Sequence, residues 1–308
     1  MNEKIFFGFC ANNAFGNVPD LLNAVRQADR DGLELVSMFD HPYVGGFLDT
    51  YATLGFTLGA TQRITGFANV TNLPTRPAPM LARTLTSLSE LSGGRVVLGL
   101  GAGFHWDRIS DMGVPRLSPG EAVNAFEEAI VLIKKLSGGG PAVTYEGKHY
   151  RVNQIDPAPV AAPPVWTGSG GAKSLAATGR VADGWLPPFT ADWLSETYRA
   201  GRPIIDEAAA SVGRDPGEIR TVYNIPGRIT DHPLGKTRDD DNRWIGGSVE
   251  QWVEELTGAV LEHGAAGFNF AEPSGFVEDL TILGRWATEI VPAVREAIAK
   301  EGAGSAVD

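Results

Sequence analysis

Four small residues, Gly168-Ser169-Gly170-Gly171, follow a short apolar run and precede a segment with helical spacing. Glycine loses more conformational freedom on folding than any other residue, so such a cluster needs a reason. A glycine-rich turn at the start of a helix exposes unpaired backbone N–H groups, and the helix N-terminus adds partial positive charge. The alternative is a tight strand-to-helix turn that needs positive φ and holds no ligand. We favour an anion site, typically one for phosphate.

A second pattern with chemical potential is the pair Asp40-His41, which follows the strand-like run LELVSMF. Histidine exchanges protons near neutral pH, and an adjacent carboxylate can orient or charge its ring. Neighbouring side chains on a strand point in opposite directions, so these two need not touch each other. A histidine that only caps a loop is an equally good interpretation of the pair.

Other catalytic signatures are missing from the sequence. The histidines at 41, 105, 149, 232 and 263 lack metal-ligand spacing, and no H-E-x-x-H occurs. No G-x-S-x-G marks a hydrolase nucleophile, and the Gly99–Gly103 repeat lacks the rest of a dinucleotide fingerprint. We predict no metal site.

Composition bounds the class of protein. The chain has 308 residues, a formal net charge of −11 and one cysteine, Cys10. The acidic balance argues against nucleic-acid and anionic-membrane partners, which require clustered Lys and Arg. A single cysteine excludes an internal disulfide. Because we find neither a signal-peptide pattern nor an apolar run of membrane-spanning length, we expect a soluble, cytoplasmic protein.

Strands and helices alternate along the whole chain. Strands are predicted at 4–10, 33–39, 64–70, 96–103, 164–168, 184–187, 220–230 and 267–273. Helices are predicted at 20–32, 48–61, 77–95, 118–139, 172–183, 191–213 with a break near Arg202-Pro203, 248–264 and 279–299. Such alternation implies parallel pairing, which an open doubly wound sheet would also give. Eight strand–helix pairs favour an α/β fold of the (β/α)8 TIM-barrel type.

We expect one domain over residues 1–308, with two departures from strict alternation. An insertion at about 138–163, between strands four and five, contains VTYEGKHYRV, a predicted hairpin turned around Glu146-Gly147. The segment at about 231–247 is dense in charge and lacks periodicity, which predicts a mobile loop at the barrel mouth. Active sites of such barrels lie at the ends of the strands, where both chemical patterns are found.

Three long stretches carry a family resemblance: residues 71–103, the helix beginning PGEAVNAFEEAIVLIKK with the hairpin after it, and residues 163–187. Together they resemble the bacterial luciferase-like superfamily of flavin- and deazaflavin-dependent oxidoreductases, over about residues 4–298. The resemblance implies a TIM barrel that binds its cofactor at the C-terminal mouth.

The resemblance also implies which residues contact the cofactor. Its phosphate would lie at the turn formed by Gly168, Ser169, Gly170, Gly171 and Ala172. Its ring would rest against Asp40, His41, Asn69, Val70, Thr71 and Gly103. Many relatives have a non-proline cis peptide behind the ring, and the matching bond here is Asn69-Val70.

The pair Asp40-His41 resembles the branch that uses coenzyme F420, a deazaflavin that passes only hydride. The resemblance implies that His41 is the catalytic, proton-handling residue. Some deazaflavin dehydrogenases carry a Glu just after the strand-four glycines, where this chain has Phe104. That acid role can pass to His105 or be absent, which puts a sugar-phosphate substrate in doubt.

Three other functions stay open. One is an FMN-dependent two-component monooxygenase of the same fold, with hydride supplied by a separate flavin or F420 reductase. Another is a non-catalytic flavin-binding protein. A phosphate-ligand barrel such as an aldolase or isomerase would need a strand-end lysine, which the strand ends named above do not supply.

The expected partners are a small organic substrate and a second copy of the chain. Phe104, Trp106, Trp185 and Phe189 can line an apolar substrate pocket, whereas Phe7 and Phe9 are predicted to pack in the core. Relatives are frequently dimers across helices near strands two and three. The small residues of 48–61 would permit such close packing, so we expect a homodimer.

Overall fold

Eight parallel strands close into a barrel in the computed structural model, which describes residues 4–188 and 191–304. In chain order, strands β1 to β8 are Phe6–Cys10, Leu35–Met38, Thr65–Ala68, Val96–Gly101, Val165–Thr167, Gly184–Trp185, Arg220–Pro226 and Gly267–Ala271. β1 pairs with both β2 and β8, and the pairing of β3 with β4 completes the circle. An open sheet would leave two edge strands, so the predicted (β/α)8 barrel is confirmed.

A helix follows each strand and packs on the outside of the barrel. In chain order, helices α1 to α8 are Val18–Asp31, Thr50–Gly59, Ala78–Ser92, Pro119–Lys135, Ala172–Val181, Glu196–Ser211, Val249–His263 and Val291–Gly304. A capping box begins α4, where Ser118 and Glu121 each accept the other's backbone N–H. α1 ends at Gly32, whose φ of +94° is easily adopted only without a Cβ.

Side chains of the strands alternate between the barrel interior and the layer beneath the helices. Phe7 and Phe9 are fully buried in that outer layer, as predicted; Phe7 lies 5.7 Å from Phe268, centroid to centroid. The interior contains the apolar cluster Leu35, Phe67, Val97, Trp166, Leu186 and Val222. This cluster fills the barrel below its C-terminal mouth, so the barrel is a packed core and not a pore.

Two helix predictions were wrong in detail. We predicted a break near Pro203, but α6 continues through it. Pro203 removes one backbone hydrogen bond, and the close packing of α6 on α5 outweighs that loss. The last helical segment is not uniform, since a π-helical turn at Trp286–Ile290 separates Leu280–Arg285 from α8. No helix in the described part of the chain is long and apolar enough to span a bilayer.

The insertion between β4 and β5 forms the predicted hairpin. Its strands, Val143–Glu146 and Arg151–Ile155, pair antiparallel. Glu128 of α4 accepts hydrogen bonds from the backbone N–H groups of Lys148 and His149 in the turn, at 3.0 and 2.9 Å. The hairpin is thereby attached to the barrel wall.

The segment 231–247 follows β7 and is held by specific contacts. Arg238 forms ion pairs with Asp192 at 2.7 Å and with Glu255. Trp244 is buried and packs edge-on against Trp252, with centroids 4.9 Å apart. The mobility of this segment stays a prediction.

Candidate active site

A layer of four polar side chains caps the apolar interior of the barrel. Asn69 donates from Nδ2 to Oδ1 of Asn224 at 2.6 Å, and Asn269 donates to the same oxygen at 3.0 Å. Asn269 also donates to Ser37 Oγ at 2.8 Å. These residues come from, or directly follow, four different strands. The floor of the mouth is therefore a hydrogen-bonding surface. Without this layer, the floor would be the apolar side chains of the barrel interior.

The peptide bond between Asn69 and Val70 is cis, as the resemblance implied. The Val70 side chain then lies against the ends of β4 and β5. A Cβ added to Gly101 or Gly168 would lie 2.9 or 2.8 Å from Val70 Cγ2, closer than side-chain atoms pack. Glycine at both positions therefore lets the ends of β3, β4 and β5 meet around Val70.

Asp40 and His41 do not hydrogen-bond to each other, which answers the question that the sequence left open. Asp40 is 2% exposed, and both of its oxygens are occupied. Arg76 binds Oδ1 at 2.6 Å and Oδ2 at 2.9 Å, and the backbone N–H of Asn72 donates to Oδ2 at 2.9 Å. Such a bidentate pair is rigid. The Asp40 carboxylate thus ties the end of β2 to the chain after β3.

Arg76 is the partner that makes this burial possible. Its guanidinium also reaches Asp49 at 2.8 Å, and it lies 4.9 Å over the ring of Tyr51. The two carboxylates raise the pKa of Arg76 against the opposing effect of burial. Thr71, a predicted ring contact, is fully buried behind Arg76 and shares a 2.6 Å hydrogen bond with the Tyr51 hydroxyl.

His41 is half-buried among aromatic rings at the mouth. Its Nδ1 shares a 2.9 Å hydrogen bond with the Tyr43 hydroxyl, and its ring centroid lies 6.4 Å from that of His105. Burial lowers the pKa of His41, the charge of Asp40 opposes that shift, and His105 adds to it. Among residues 4–188 and 191–304, no hydrogen bond engages Nε2 of His41. His41 is therefore a largely neutral imidazole with one nitrogen available to a ligand.

The glycine turn after β5 presents bare backbone to solvent. Gly168, Gly170, Gly171 and Ala172 are exposed, and Gly171 caps α5 without any side-chain hydrogen bond. No hydrogen bond from the described residues engages the N–H groups of Gly170 and Gly171. None of these glycines has positive φ, so the alternative of a turn that needs glycine for its dihedrals is wrong. Unpaired N–H groups at a helix start are the donors that an anion needs.

Ser169 differs from its neighbours because its side chain points into the protein. It is 2% exposed, and its Oγ accepts a 3.0 Å hydrogen bond from Thr178. Its carbonyl accepts from Trp185 Nε1 at 2.8 Å. The Ser169 side chain anchors the turn to α5. Our prediction that Trp185 lines a pocket was wrong, since Trp185 is fully buried and stacks on Tyr198 under the turn.

The end of β4 forms the remaining wall. Gly103 has a φ of +110°, and a Cβ there would lie 2.8 Å from Pro74 and 3.1 Å from the Trp106 ring. Trp106 is half-buried, whereas Phe104 is 71% exposed with its ring 4.2 Å from that of His105. Phe189 lies outside the described residues.

These residues fit a cofactor that has an anionic tail and a polar, planar head. The uncapped turn at Gly170-Gly171 offers amide donors to an anion, and the asparagine layer offers both donors and acceptors. Three side-chain oxygens near the mouth, on Asn13, Asn72 and Asn269, are buried without a hydrogen-bond partner among the described residues. Buried polar atoms normally have partners, so these oxygens are consistent with a bound polar molecule. No group of His, Cys, Asp and Glu in the described ranges could hold a metal ion.

Sequence reasoning missed five residues of this mouth: Ser37, Tyr43, Arg76, Asn224 and Asn269. Signals for two of them existed. Arg76 follows β3 by only a few residues, and Asn224 is a polar residue inside the otherwise apolar run of β7. Their partners could not be identified, because each is 30 or more residues away in sequence.

Comparisons with known proteins identify the family of this chain. A family model described as luciferase-like monooxygenase matches residues 6–233. An F420-dependent glucose-6-phosphate dehydrogenase from Microbacterium testaceum is 28% identical over 251 residues, covering 77% of this chain and 73% of that protein. A 5,10-methylenetetrahydromethanopterin reductase from Methanolobus tindarius is 31% identical over 193 residues, covering 62% of this chain but 56% of that protein. The solved structure of an F420-dependent secondary alcohol dehydrogenase with an F420–acetone adduct matches with a TM-score of 0.79 at 18% identity, covering 95% and 99% of the two chains.

Proposed function

Because this chain belongs to the luciferase-like monooxygenase family, we propose that it is an oxidoreductase that transfers hydride between coenzyme F420 and a small organic substrate. The observation that carries the proposal is the half-buried His41 imidazole, with Nδ1 on Tyr43 and Nε2 available at the mouth. The F420-dependent relatives support this choice of cofactor.

The cofactor's phosphate would be bound by the amides of Gly170, Gly171 and Ala172, and its ring would lie over Asn69 and Val70. When bound, a deazaflavin accepts or donates a hydride and leaves proton transfer to other groups. We assign that proton to His41. The lowered pKa keeps its imidazole neutral near pH 7, which is the form that accepts a proton from a substrate hydroxyl.

The Tyr43 hydroxyl supports both directions of the reaction. When the hydroxyl accepts a hydrogen bond from Nδ1–H, the Nε2 atom has a free lone pair and can take the proton of an alcohol. In the reduction direction the hydroxyl accepts the same hydrogen bond from the imidazolium, which would give its Nε2 proton to the carbonyl oxygen. Asp40 is not in line with this proton path, since Arg76 and a backbone amide occupy its oxygens. Its role is to hold the strand end that carries His41.

The FMN-dependent monooxygenase of the same fold is the second candidate, supported by the family description. A non-catalytic flavin-binding protein is the third, and it would bind a cofactor without turnover. A cytoplasmic location, a homodimer and a separate reductase also stay predictions.

The first experiment is a titration of the purified protein with F420 and with FMN, followed by absorbance and fluorescence. We expect saturable binding of F420, and cofactor reduction when a secondary alcohol is added under anaerobic conditions. Tight binding of FMN alone, with oxygen-dependent substrate oxidation, would contradict the proposal in favour of the monooxygenase. Binding of either cofactor without turnover would favour the carrier.

A further inference from the structure

A cavity of about 440 Å³ opens beside the asparagine layer, at the ends of β7 and β8 and beneath the segment 231–247. Its walls are mainly apolar. The larger apolar side chains in them are those of Ile225, Pro226, Leu234, Trp244, Ile245 and Pro273. A concave, apolar site with few polar groups is the usual form of a small-molecule pocket.

The charged residues around this cavity do not direct charge into it. Asp192 is paired with Arg238, and Asp239 accepts hydrogen bonds from the backbone of Asp241 and Arg243 at 3.0 and 2.8 Å. Arg228 and Arg243 also contribute to the lining, but both are exposed, so their charges lie in water at the rim. An ionised group inside the cavity would lose its hydration without gaining a buried counter-charge.

One polar side chain links the cavity to the asparagine layer. Asn224 lines the cavity, and its Oδ1 accepts the 2.6 Å hydrogen bond from Asn69, directly before the cis peptide. A ligand can therefore place its apolar body on the cavity walls and its polar end toward the asparagine layer. The cavity volume of about 440 Å³ lies within the usual range for small-molecule pockets, about 300–1,000 Å³.

We infer that the substrate is an uncharged, largely apolar alcohol or carbonyl compound whose apolar body occupies this cavity. The inference rests on the proposed function for its chemistry. In the oxidation direction, the carbinol C–H bond would break and its electron pair would pass as hydride to the oxidised deazaflavin that the mouth would hold. The hydroxyl proton would pass to His41 as the carbon–oxygen double bond forms. A sugar phosphate is disfavoured, because the cavity offers its phosphate no buried counter-charge and offers its several hydroxyl groups only the uncharged polar groups of Asn224 and Trp244.

A homologous series of secondary alcohols from propan-2-ol to nonan-2-ol tests the inference, with glucose 6-phosphate as the charged alternative. We expect kcat/KM to rise about three- to fourfold per methylene until the cavity is full, since each buried methylene adds apolar transfer free energy. Glucose 6-phosphate should react at least a hundredfold more slowly than octan-2-ol. A flat series, or a preference for the sugar phosphate, would overturn the inference.

A cavity-filling variant, Leu234→Trp, tests the location. It should lower kcat/KM for octan-2-ol at least tenfold more than for propan-2-ol. The matched control, Ile155→Trp, adds the same side chain to an exposed position on the hairpin and should change neither value. An equal loss for both alcohols in Leu234→Trp would place the substrate elsewhere.

Calorimetry separates this inference from the proposed function. Octan-2-one binding to the protein without cofactor should weaken at least tenfold in Leu234→Trp and remain unchanged in Ile155→Trp. If that pattern appears while F420 is neither bound nor reduced, the apolar subsite stands and the hydride-transfer proposal fails. If F420 is reduced by alcohols but the binding of octan-2-one does not respond to Leu234→Trp, the subsite is wrong and the proposed function stands.

Discussion

The two sides of the barrel mouth are built in different ways. After β5, the turn Gly168–Gly171 offers backbone amides, and it is held by hydrogen bonds to Leu100 of β4 and to Thr178 and Trp185 later in the chain. After β2, the pair Asp40-His41 offers side chains, and each is held by a residue from another part of the chain or from the same loop. Asp40 depends on Arg76, whereas His41 depends on Tyr43 and neighbouring rings.

This difference separates binding from chemistry. Bare amides can hold an anion but cannot exchange protons with a substrate near neutral pH, so the β5 turn is suited to retaining a cofactor. A neutral imidazole can exchange protons but adds little to cofactor affinity, so the β2 corner is suited to turnover. Variants on the two sides should therefore change different measured quantities, and the predictions below test whether they do.

The largest effect is expected for His41→Ala. Removing a general acid–base group lowers rates by about 10² to 10⁴-fold, and we expect kcat for alcohol oxidation to fall about 10³-fold. The F420 dissociation constant should change less than about threefold in a fluorescence titration. His263→Ala, at the end of α7, is the control. Equal losses in rate and in cofactor affinity would show that His41 only lines the site, and the two sides of the mouth would then not differ in function.

A smaller effect of the opposite kind is expected for Gly170→Asp. A Cβ at Gly170 would lie 3.2 Å from Pro188, and the new carboxylate would repel an anion at the turn. We expect the F420 dissociation constant to rise about a hundredfold, with kcat at saturating cofactor nearly unchanged.

Gly59→Asp is the matched control for Gly170→Asp, because a Cβ at Gly59 would meet nothing within 4 Å and the charge change is the same. It should bind F420 like the unmodified protein. If Gly170→Asp titrates like Gly59→Asp, the β5 turn does not hold an anion.

The smallest effect is expected for Tyr43→Phe, which removes the hydrogen bond to His41 Nδ1. One hydrogen bond to a group that gains charge is worth about 1.5 kcal/mol, so we expect kcat/KM for alcohol oxidation to fall about tenfold. Tyr145→Phe removes a hydroxyl from the hairpin and serves as the control.

The pH profile sharpens this last prediction. Burial lowers the pKa of His41 below its ordinary value of 6.5, so the neutral base persists below that pH. Oxidation should keep its rate as pH falls through 6.5 and decline only at lower pH. The Tyr43 hydroxyl accepts a hydrogen bond from the imidazolium Nδ1–H and thereby stabilises the charged form, so Tyr43→Phe should move this decline further toward acid. If the oxidation rate of Tyr43→Phe declined at the same pH as that of the unmodified protein, Tyr43 would only fill space beside His41.

The lowered pKa of His41 also determines how its protonation changes the free energy of unfolding. When a histidine has a lower pKa in the folded state than in the unfolded state, the unfolded state binds the proton more readily. Protonation of His41 therefore favours unfolding, and its effect on the free energy of unfolding grows as pH falls below 6.5. Above that pH both states are neutral, and His41 has no such effect.

The sequence by itself determined the fold and the positions of the chemical groups. Periodic apolar spacing, the capping box at Ser118-Glu121 and the terminal glycine of α1 act within a few residues, so they can be recognised without a structure. The glycine cluster and the pair Asp40-His41 were located at strand ends for the same reason. Local signals also have limits, as shown by Pro203, where packing of α6 against α5 outweighed a helix-breaking residue.

Only the tertiary structure decided which side chains meet. Asn69 directly follows β3, whereas Asn224 and Asn269 lie on β7 and β8, and their hydrogen bonds connect residues up to 155 positions apart. Closure of the barrel brings those strand ends into one layer, pairs Asp40 with Arg76 and turns Trp185 into the core. No spacing rule encodes these contacts, because partner choice depends on which strand ends face each other once the barrel has closed.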